Sequence, residues 1–233
     1  MKFLWNDAWL FTKDAALISE NHTALNTTDW EMVTIPHTWN AEDGQDGGND
    51  YYRGTCYYTK KLDLADCKGA EEVYIEFEGA NSSADVYVNG SLAVHHDGGY
   101  STFRANITAL LKEENEIVVA VDNAPNDRVY PQMADFTFYG GIYRNVNIIC
   151  VSKAHFDLDF FGGPGIQVTP VVKGSDAEVA VVGYFTGLKG TETVRYVIKD
   201  GDDVVAEAVI AATDGKVDFI TYLTVSVPLR PVK

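Results

Sequence analysis

Residues 73–90, VYIEFEGANSSADVYVNG, contain the pattern that decides the fold of this chain. In residues 73–78 apolar and polar side chains alternate, which places the three apolar residues on one face of a predicted β-strand. Residues 84–88 alternate in the same way and end at Asn89-Gly90, a pair that tolerates the positive φ angles of a two-residue hairpin turn. The stretch therefore predicts two strands with one buried face each, the second of which continues into a hairpin.

Strand signals continue after this stretch, whereas helix signals are scarce. Residues 116–122 are mostly apolar and β-branched, as expected for a strand that is covered on both faces, and residues 142–151 form another strand candidate. Only residues 107–112 have a helical pattern, and they are long enough for one or two helical turns at most. Strands of this length separated by turns predict an all-β protein with a β-sandwich architecture.

The composition shifts near residue 152, and the residues beyond it predict a second, smaller sandwich. Turns that contain glycine separate several of its strands, and six short strands in about eighty residues are typical of an immunoglobulin-like β-sandwich. We therefore divide the chain into a first domain, residues 1–151, and a second domain, residues 152–233. No closing strand follows residue 225, so we expect the second domain to be truncated at its C terminus. Its six predicted strands are residues 155–161, 166–172, 177–185, 193–199, 204–211 and 217–225.

The composition also disfavours several classes of function. The 233 residues contain 34 Asp and Glu against 18 Lys and Arg, and the resulting net charge of −16 repels phosphate backbones and anionic lipid. The longest apolar run, residues 179–185, is too short to cross a bilayer, and the first residues lack the apolar core of a secretory signal. We therefore expect no nucleic-acid or membrane partner and a cytoplasmic location. The three cysteines, an odd number without metal-ligand spacing, favour free thiols in a reducing compartment.

Three loop segments combine glycines, aromatic rings and carboxylates, and they are the candidate functional regions. They are residues 35–54, 95–103 and 135–144. Aromatic residues make up 12% of the chain, and many of them lie in these loops, where a hydrophobic core has no need of them. Sugars stack their apolar faces on aromatic rings, while their hydroxyls bond to carboxylates and amides. The three segments are therefore typical of a carbohydrate-binding surface.

The same segments resemble the N-terminal region of glycoside hydrolase family 2, which includes β-galactosidases, β-glucuronidases and β-mannosidases. Three features carry the resemblance in order: IPHTWN at 35–40, VYVNG at 86–90 leading to GGY at 98–100, and DFTFYGGIYR at 135–144. The resemblance covers residues 1–150 through these motifs and residues 152–225 through position and strand pattern. The last of the three motifs is most similar to the β-galactosidase branch.

The resemblance implies a jelly-roll sugar-binding domain, then an immunoglobulin-like domain, then a (β/α)8 barrel. In retaining glycosidases the two catalytic carboxyl groups lie about 5–5.5 Å apart and act as nucleophile and acid/base. No acidic pair in this chain matches those roles, so we expect the chain to be inactive alone, to support the barrel and to wall one side of its pocket. The implied partners are a β-linked sugar, the barrel and further copies of the chain in a homo-oligomer. Galactosides, glucuronides and mannosides all stay open as substrates, and the alternative function is a stand-alone carbohydrate-binding module.

The resemblance also points to three residues that contact substrate in a complete enzyme. Asp135 matches an acid that reaches the sugar in β-glucuronidases, so we expect it to accept a hydrogen bond from a sugar hydroxyl. In the alternative interpretation, Asp135 caps its loop or pairs with Arg144. Asp97 lies beside the position at which some β-galactosidases place an acid near the substrate and a monovalent cation, and Asn40 is the third candidate. No catalytic residue, metal ligand or cofactor is predicted, and cations of a complete enzyme would have most of their ligands in the barrel.

Overall fold

The computed structural model describes residues 1–44, 47, 50–132, 134–174, 176–212 and 216–224, with backbone alone at 173 and 216–224. The chain divides into two compact units, Met1–Ser152 and Lys153–Lys233. Helical structure in the described ranges is limited to three short 3-10 segments, so the fold is all-β, as predicted. No helix in these ranges has the length and apolar character needed to cross a membrane. Of the helical pattern at 107–112, only residues 108–110 form a helical segment. The 3-10 segments are Ala15–Leu17, Leu64–Cys67 and Thr108–Leu110.

Ten strands form Met1–Ser152, and together they make a jelly-roll β-sandwich. They are β1 (Lys2–Leu4), β2 (Trp9–Thr12), β3 (Glu31–Val33), β4 (Thr55–Leu62), β5 (Glu72–Phe77), β6 (Ser83–Val88), β7 (Ser91–Asp97), β8 (Phe103–Asn106), β9 (Asn115–Asp122) and β10 (Val146–Val151). One sheet has the order β1-β10-β5-β8, and the other has the order β3-β2-β4-β9-β6-β7. All neighbouring strands in both sheets are antiparallel.

The hydrophobic core is formed by the alternating residues that the sequence pattern identified. Ile75 and Phe77 on β5 and Val86 on β6 are all 0% exposed. The Phe77 ring stacks on Phe103 of β8 with 5.0 Å between ring centroids. Fully burying a side chain of this size contributes about 1.5–3 kcal/mol. The apolar faces of β5 and β6 therefore hold this unit together, and its loops are built on that support.

The predicted hairpin turn joins β6 to β7. Asn89 and Gly90 have φ angles of 51° and 84°, as a turn with two left-handed residues requires. The Asn89 side chain also fixes the turn to β9, because its Oδ1 accepts a hydrogen bond from the backbone N–H of Glu116 at 2.9 Å. The hairpin and the central strand of its sheet are thus tied together at this end.

The outer face of the four-stranded sheet buries a carboxylate. Glu76 is 1% exposed, and its two oxygens accept hydrogen bonds from Lys2 Nζ and Arg104 Nε, each at 2.5 Å. The Asn147 side chain donates a further hydrogen bond at 3.0 Å. Burial acts to raise the pKa of Glu76, but the hydrogen bond from Lys2 and the Arg104 cation outweigh it, and the net pKa is lowered. The charged carboxylate therefore cross-links β5 to both β1 and β8.

The described residues of the second unit, Lys153–Lys233, contain six strands, five of which lie within one residue of their predicted bounds. The prediction at 155–161 is wrong after Phe156, because the strand ends there and the residues that follow form turns. β13 is central: it pairs with β12 and β16 on its two edges and with β11 at its last residues. β14 and β15 form a separate two-stranded sheet. Residues 225–233, where we expected the closing strand to be missing, lie outside the described residues. The strands are β11 (His155–Phe156), β12 (Ile166–Lys173), β13 (Asp176–Thr186), β14 (Thr193–Asp200), β15 (Asp203–Ala211) and β16 (Lys216–Thr224).

The strand predicted at 142–151 is wrong in its first part, because β10 begins only at Val146. The residues before it bind neighbouring loops instead of a strand. The carbonyl of Ile142 accepts a hydrogen bond from the backbone N–H of His37 at 2.8 Å, and Gly141 has a φ angle of 123°. The connection between β9 and β10 is therefore long, spanning residues 123–145, and it reaches across one end of the sandwich.

Candidate functional site

The β9–β10 loop, residues 123–145, brings together the three segments that the sequence singled out. Thr38 Oγ1 donates a hydrogen bond to the Gly140 carbonyl at 2.7 Å, which joins the first segment to the third. The Tyr143 hydroxyl donates to the carbonyl of Gly99, which joins the second segment to the third. The candidate site is therefore a cluster of loops that meet at one end of the sandwich.

Asn40 lies at the centre of this cluster and is 0% exposed. Its Oδ1 accepts hydrogen bonds from the backbone N–H of Gly140 at 2.9 Å and from Asn123 Nδ2 at 3.2 Å. Its Nδ2 donates to the Asp43 carboxylate at 3.0 Å and to the Tyr52 carbonyl at 3.1 Å. The amide therefore uses both ends within the chain and joins the first and third segments to β9. As a substrate contact, Asn40 stays a prediction.

Gly140 must be glycine because aromatic and amide groups press against its Cα. A Cβ atom there would lie 2.6 Å from Asn123 Nδ2 and closer still to the ring of Trp39. Contacts under 3.0 Å cannot be accommodated without movement of the neighbours. The Gly140-Gly141 pair is therefore a packing point that lets the β9–β10 loop pass over Trp39.

The first part of the β9–β10 loop is a closed turn. The side chain of Gln132 donates to the carbonyls of Asn126 and Val129 at 2.7 and 2.8 Å, and its Oε1 accepts from the backbone N–H of Asn126 at 3.1 Å. Arg53 Nη2 donates to the Gln132 carbonyl at 3.3 Å, and the Arg53 guanidinium lies 5.2 Å from the centre of the Tyr51 ring. Residues 126–132 therefore form one hydrogen-bonded turn that is attached to the segment before β4.

The second part of the loop is anchored independently. Thr137 Oγ1 donates to the Gly44 carbonyl at 3.1 Å, and the Tyr51 hydroxyl donates to the Phe138 carbonyl. Phe136 and Phe138 are in ring contact, with 4.8 Å between their centroids, although Phe136 is 58% exposed. The loop is therefore held on both sides of its tip.

Asp135 lies at that tip, and its side chain is exposed. It has no hydrogen-bond or ion-pair partner in the part of the chain that the structure describes. Arg144, the partner in the alternative interpretation, donates instead to the Tyr100 carbonyl at 3.1 Å. The two anchored parts of the loop thus present a carboxylate whose acceptor sites are available to a ligand.

Asp97 ends β7, and both of its carboxylate oxygens are engaged. Oδ1 accepts a hydrogen bond from Ser83 Oγ at 2.6 Å. Oδ2 lies 3.0 Å from Arg128 Nε and 3.2 Å from His95 Nε2. The hydrogen bond from Ser83, followed by those from His95 and Arg128, lowers the pKa of Asp97 to about 2. As a substrate contact, Asp97 stays a prediction.

His95 bridges two carboxylates. Its Nδ1 lies 2.6 Å from Asp85 Oδ1, and its Nε2 faces Asp97. Both ring nitrogens face carboxylate oxygens, and the hydrogen bonds to Asp85 and Asp97 raise the pKa of His95. His96 points to the other face of the strand and stacks on Phe103 at 4.2 Å. The adjacent histidines therefore do not share a ligand.

A second histidine, His37, is half-buried beside a buried tyrosine. His37 Nδ1 lies 2.8 Å from the hydroxyl of Tyr58, which is 0% exposed, and the His37 ring contacts Phe11 with 4.7 Å between centroids. Burial lowers the pKa of His37, and burial raises the pKa of Tyr58 well above its usual range. The His37–Tyr58 pair links the loop at 35–44 to β4, and it is a structural element of the site.

Arg128, Gln132 and Asn123 carry much of this geometry, and the sequence patterns did not point to them. Each lies in a polar, glycine-poor part of the β9–β10 loop whose partners are distant in sequence. Among the described residues, no group of three or more His, Cys, Asp or Glu side chains could hold a metal ion. Asp135 is an exposed hydrogen-bond acceptor in this loop cluster.

Comparison with known proteins agrees with this architecture. Residues 5–151 match the family model described as glycosyl hydrolases family 2, sugar binding domain. The chain is 38% identical over 152 residues to a putative β-glucuronidase of Formosa agariphila, an alignment that covers 64% of this chain and 18% of that protein. It is 30% identical over 168 residues to a β-galactosidase of Thermoanaerobacter pseudethanolicus, with 70% of this chain and 22% of that protein covered.

A solved structure extends the likeness over both units. The FMN-binding β-glucuronidase from Faecalibacterium prausnitzii L2-6 has a TM-score of 0.83 and 38% identity, with 97% of this chain and 34% of that chain covered. The chain thus spans 18–34% of the length of these three relatives. Both the family-model match and the loop cluster lie within the first unit. The chain belongs to glycoside hydrolase family 2, and its residues 5–151 are the sugar-binding domain of that family.

Proposed function

We propose that this chain is the non-catalytic part of a retaining β-glycoside hydrolase, in which it supports a catalytic (β/α)8 barrel and contributes Asp135 to the substrate pocket. One observation carries the proposal: the exposed carboxylate of Asp135 sits at the tip of a loop that is anchored on both sides. A fixed acceptor needs little reordering when a sugar hydroxyl approaches, so its hydrogen bond can strengthen as the transition state forms.

The reaction proposed for the complete enzyme is double displacement at a β-glycosidic bond. One carboxylate attacks the anomeric carbon, a second carboxylic acid protonates the leaving oxygen, and water then hydrolyses the glycosyl-enzyme. Both groups would belong to the barrel. The relatives named as β-glucuronidases and β-galactosidases support a β-linked sugar as substrate without selecting one sugar.

The stand-alone module, our alternative function, has weaker support from the geometry. An open cleft of about 260 Å³ beside the tip is lined by aromatic and polar side chains. Its polar groups are already engaged, because Thr137 donates to Gly44 and Asp43 accepts from Asn40 and from the backbone N–H of Tyr52. A sugar in this cleft would meet polar groups that already have partners, whereas a sugar at Asp135 would meet an acceptor that has none among the described residues.

The test is kinetic and uses the complete enzyme. We expect Asp135→Asn to lower kcat/KM on an aryl β-glycoside on the order of 10- to 100-fold, since a hydrogen bond to a charged group contributes about 1.5–3 kcal/mol. Asp127→Asn is the matched control, because Asp127 is an exposed acid in the same loop. Equal kcat/KM values for the two variants would refute the role of Asp135.

The proposal includes a homo-oligomer and a cytoplasmic location. The three cysteines are all free and buried, as suits a protein that folds in a reducing compartment. Light scattering on the complete enzyme tests the first point, and a monomer would contradict it. Fractionation of the producing cells tests the second, and activity outside the cytoplasm would contradict it.

A further inference from the structure

We propose that Asp97 is a positioning residue: it holds Arg128, and through Arg128 it sets the place of the loop that carries Asp135. This inference rests on the proposed function of Asp135. It assigns to Asp97 a role different from direct contact with substrate, and it adds Arg128 to the residues on which the site depends.

The first step is that Asp97 is fixed to the sheet. In the register of β6 and β7, Asp97 lies opposite Ser83, a buried residue whose hydroxyl donates to Asp97 Oδ1 at 2.6 Å. His95 Nε2, on the same strand, lies 3.2 Å from Oδ2, and its other nitrogen is held by Asp85 of β6 at 2.6 Å. The carboxylate therefore has one orientation, which the two strands set.

The second step is that Arg128 connects this fixed carboxylate to the closed turn of the loop. Arg128 Nε donates to Asp97 Oδ2 at 3.0 Å. The backbone N–H groups of Arg128 and Val129 donate to Asn126 Oδ1 at 3.0 and 2.9 Å, within the turn that Gln132 closes. Because hydrogen bonds tie residues 126–132 into one turn, a contact that holds Arg128 also restrains the rest of that turn.

The third step is that the turn leads directly to the tip. Asp135 lies between two anchored residues, Gln132 and Thr137, which are only five positions apart in the sequence, and this short spacing limits the places that Asp135 can occupy. Arg53 holds the turn from the other side, at the Gln132 carbonyl. The position of Asp135 therefore depends on two cations, Arg53 and Arg128, and the second of them depends on Asp97.

The experiment is a mutant cycle in the complete enzyme. We expect Asp97→Ala and Arg128→Ala each to lower kcat/KM about 3- to 10-fold, and the double variant to lose no more than either single variant, since both remove the same contact. Arg195→Ala, which breaks an exposed Arg–Glu pair in the second unit, is the matched control and should keep wild-type kcat/KM. Arg128 is 54% exposed at its side chain, so its variant will fold even if Asp97→Ala does not.

The decisive measurement is kcat/KM of the same variants in the Asp135→Asn background. If Asp97 acts through Asp135, then Asp97→Ala and Arg128→Ala will have no further effect on kcat/KM there. A loss that persists in that background, and that Arg128→Ala does not share, would overturn the proposal and show that Asp97 itself touches substrate. Wild-type kcat/KM for both variants would also overturn it. If Asp135→Asn alone has no effect, it is the proposed function that fails.

Discussion

Replacing Asn40 with alanine tests whether the buried amide is the centre of the loop cluster. The change removes Oδ1, which is the acceptor for the Gly140 N–H and for one N–H of Asn123. Both donors are buried, so water cannot replace the lost acceptor. The partners of the amide nitrogen are less affected. The Tyr52 carbonyl still accepts a hydrogen bond from Asn123, and the Asp43 carboxylate still accepts one from the Tyr52 N–H.

The expected loss follows from these two orphaned donors. A buried donor without an acceptor costs about 1–3 kcal/mol, so Asn40→Ala should lower the free energy of unfolding of the first unit by about 2–6 kcal/mol. For a domain of this size, 1 kcal/mol corresponds to roughly 2–4 °C in Tm, so even the middle of that range is a shift of about 8–16 °C. Asn40→Asp should cost more at neutral pH, because its second oxygen would face the Asp43 carboxylate.

Tryptophan fluorescence during urea or thermal unfolding is the suitable assay. All four tryptophans, at positions 5, 9, 30 and 39, belong to Met1–Ser152, so the signal reports this unit separately from the other. Asn21→Ala is the control, because Asn21 is exposed and its side chain has no hydrogen bond within the described ranges. If Asn40→Ala unfolds within about 1 kcal/mol of this control, the hydrogen bonds of Asn40 do not hold the site together, and our reasoning is wrong.

Two further predictions use the same fluorescence signal. Glu76→Ala should lower the free energy of unfolding by about 3–5 kcal/mol, because it removes the carboxylate of a buried ion pair with Arg104. Lys2→Ala should lower it by about 1 kcal/mol or less, because the Lys2 side chain is 48% exposed. Equal losses for the two variants would contradict this. Burial lowers the pKa of His37 in the folded state, so the unfolded state binds more protons between its own pKa near 6.5 and the lower folded value. The contribution of His37 to stability is therefore complete above about pH 6.5 and falls as the pH decreases through that value, and His37→Gln should flatten the pH profile between 7.5 and 5.5; an unchanged profile would refute the assignment.

Much of the strand framework could be predicted from periodicity because alternation directly reflects one buried face. The strands at 73–78, 84–88 and 116–122 were predicted within two residues of their observed bounds. The turn at Asn89-Gly90 was also predictable, since few residue pairs tolerate two positive φ angles. The short strands β1, β2 and β3 escaped prediction, because three or four residues are too few to show a period.

The candidate site was predictable in its location but not in its hydrogen bonding. Glycines and aromatics marked the loops that meet. The sequence cannot show, however, that the side-chain oxygen of Asn40 accepts hydrogen bonds from Asn123 and Gly140, which are 83 and 100 residues away. Arg128 had no recognisable motif, because an exposed arginine in a loop is common and its partner Asp97 is on another strand. Such long-range pairs depend on the folded topology, which periodicity does not encode.

The pairing of β1 with β10 has a consequence for how the chain is made. Lys2 lies opposite Ile149 and Leu4 lies opposite Asn147. The partner of β1 is therefore synthesised almost at the end of the unit. At a synthesis rate of about 5–20 residues per second, the nascent chain spends roughly 7–30 s without that partner. During this interval β1 is an unpaired edge, the kind of segment that associates with other chains. The first unit therefore completes this sheet only after translation has passed β10.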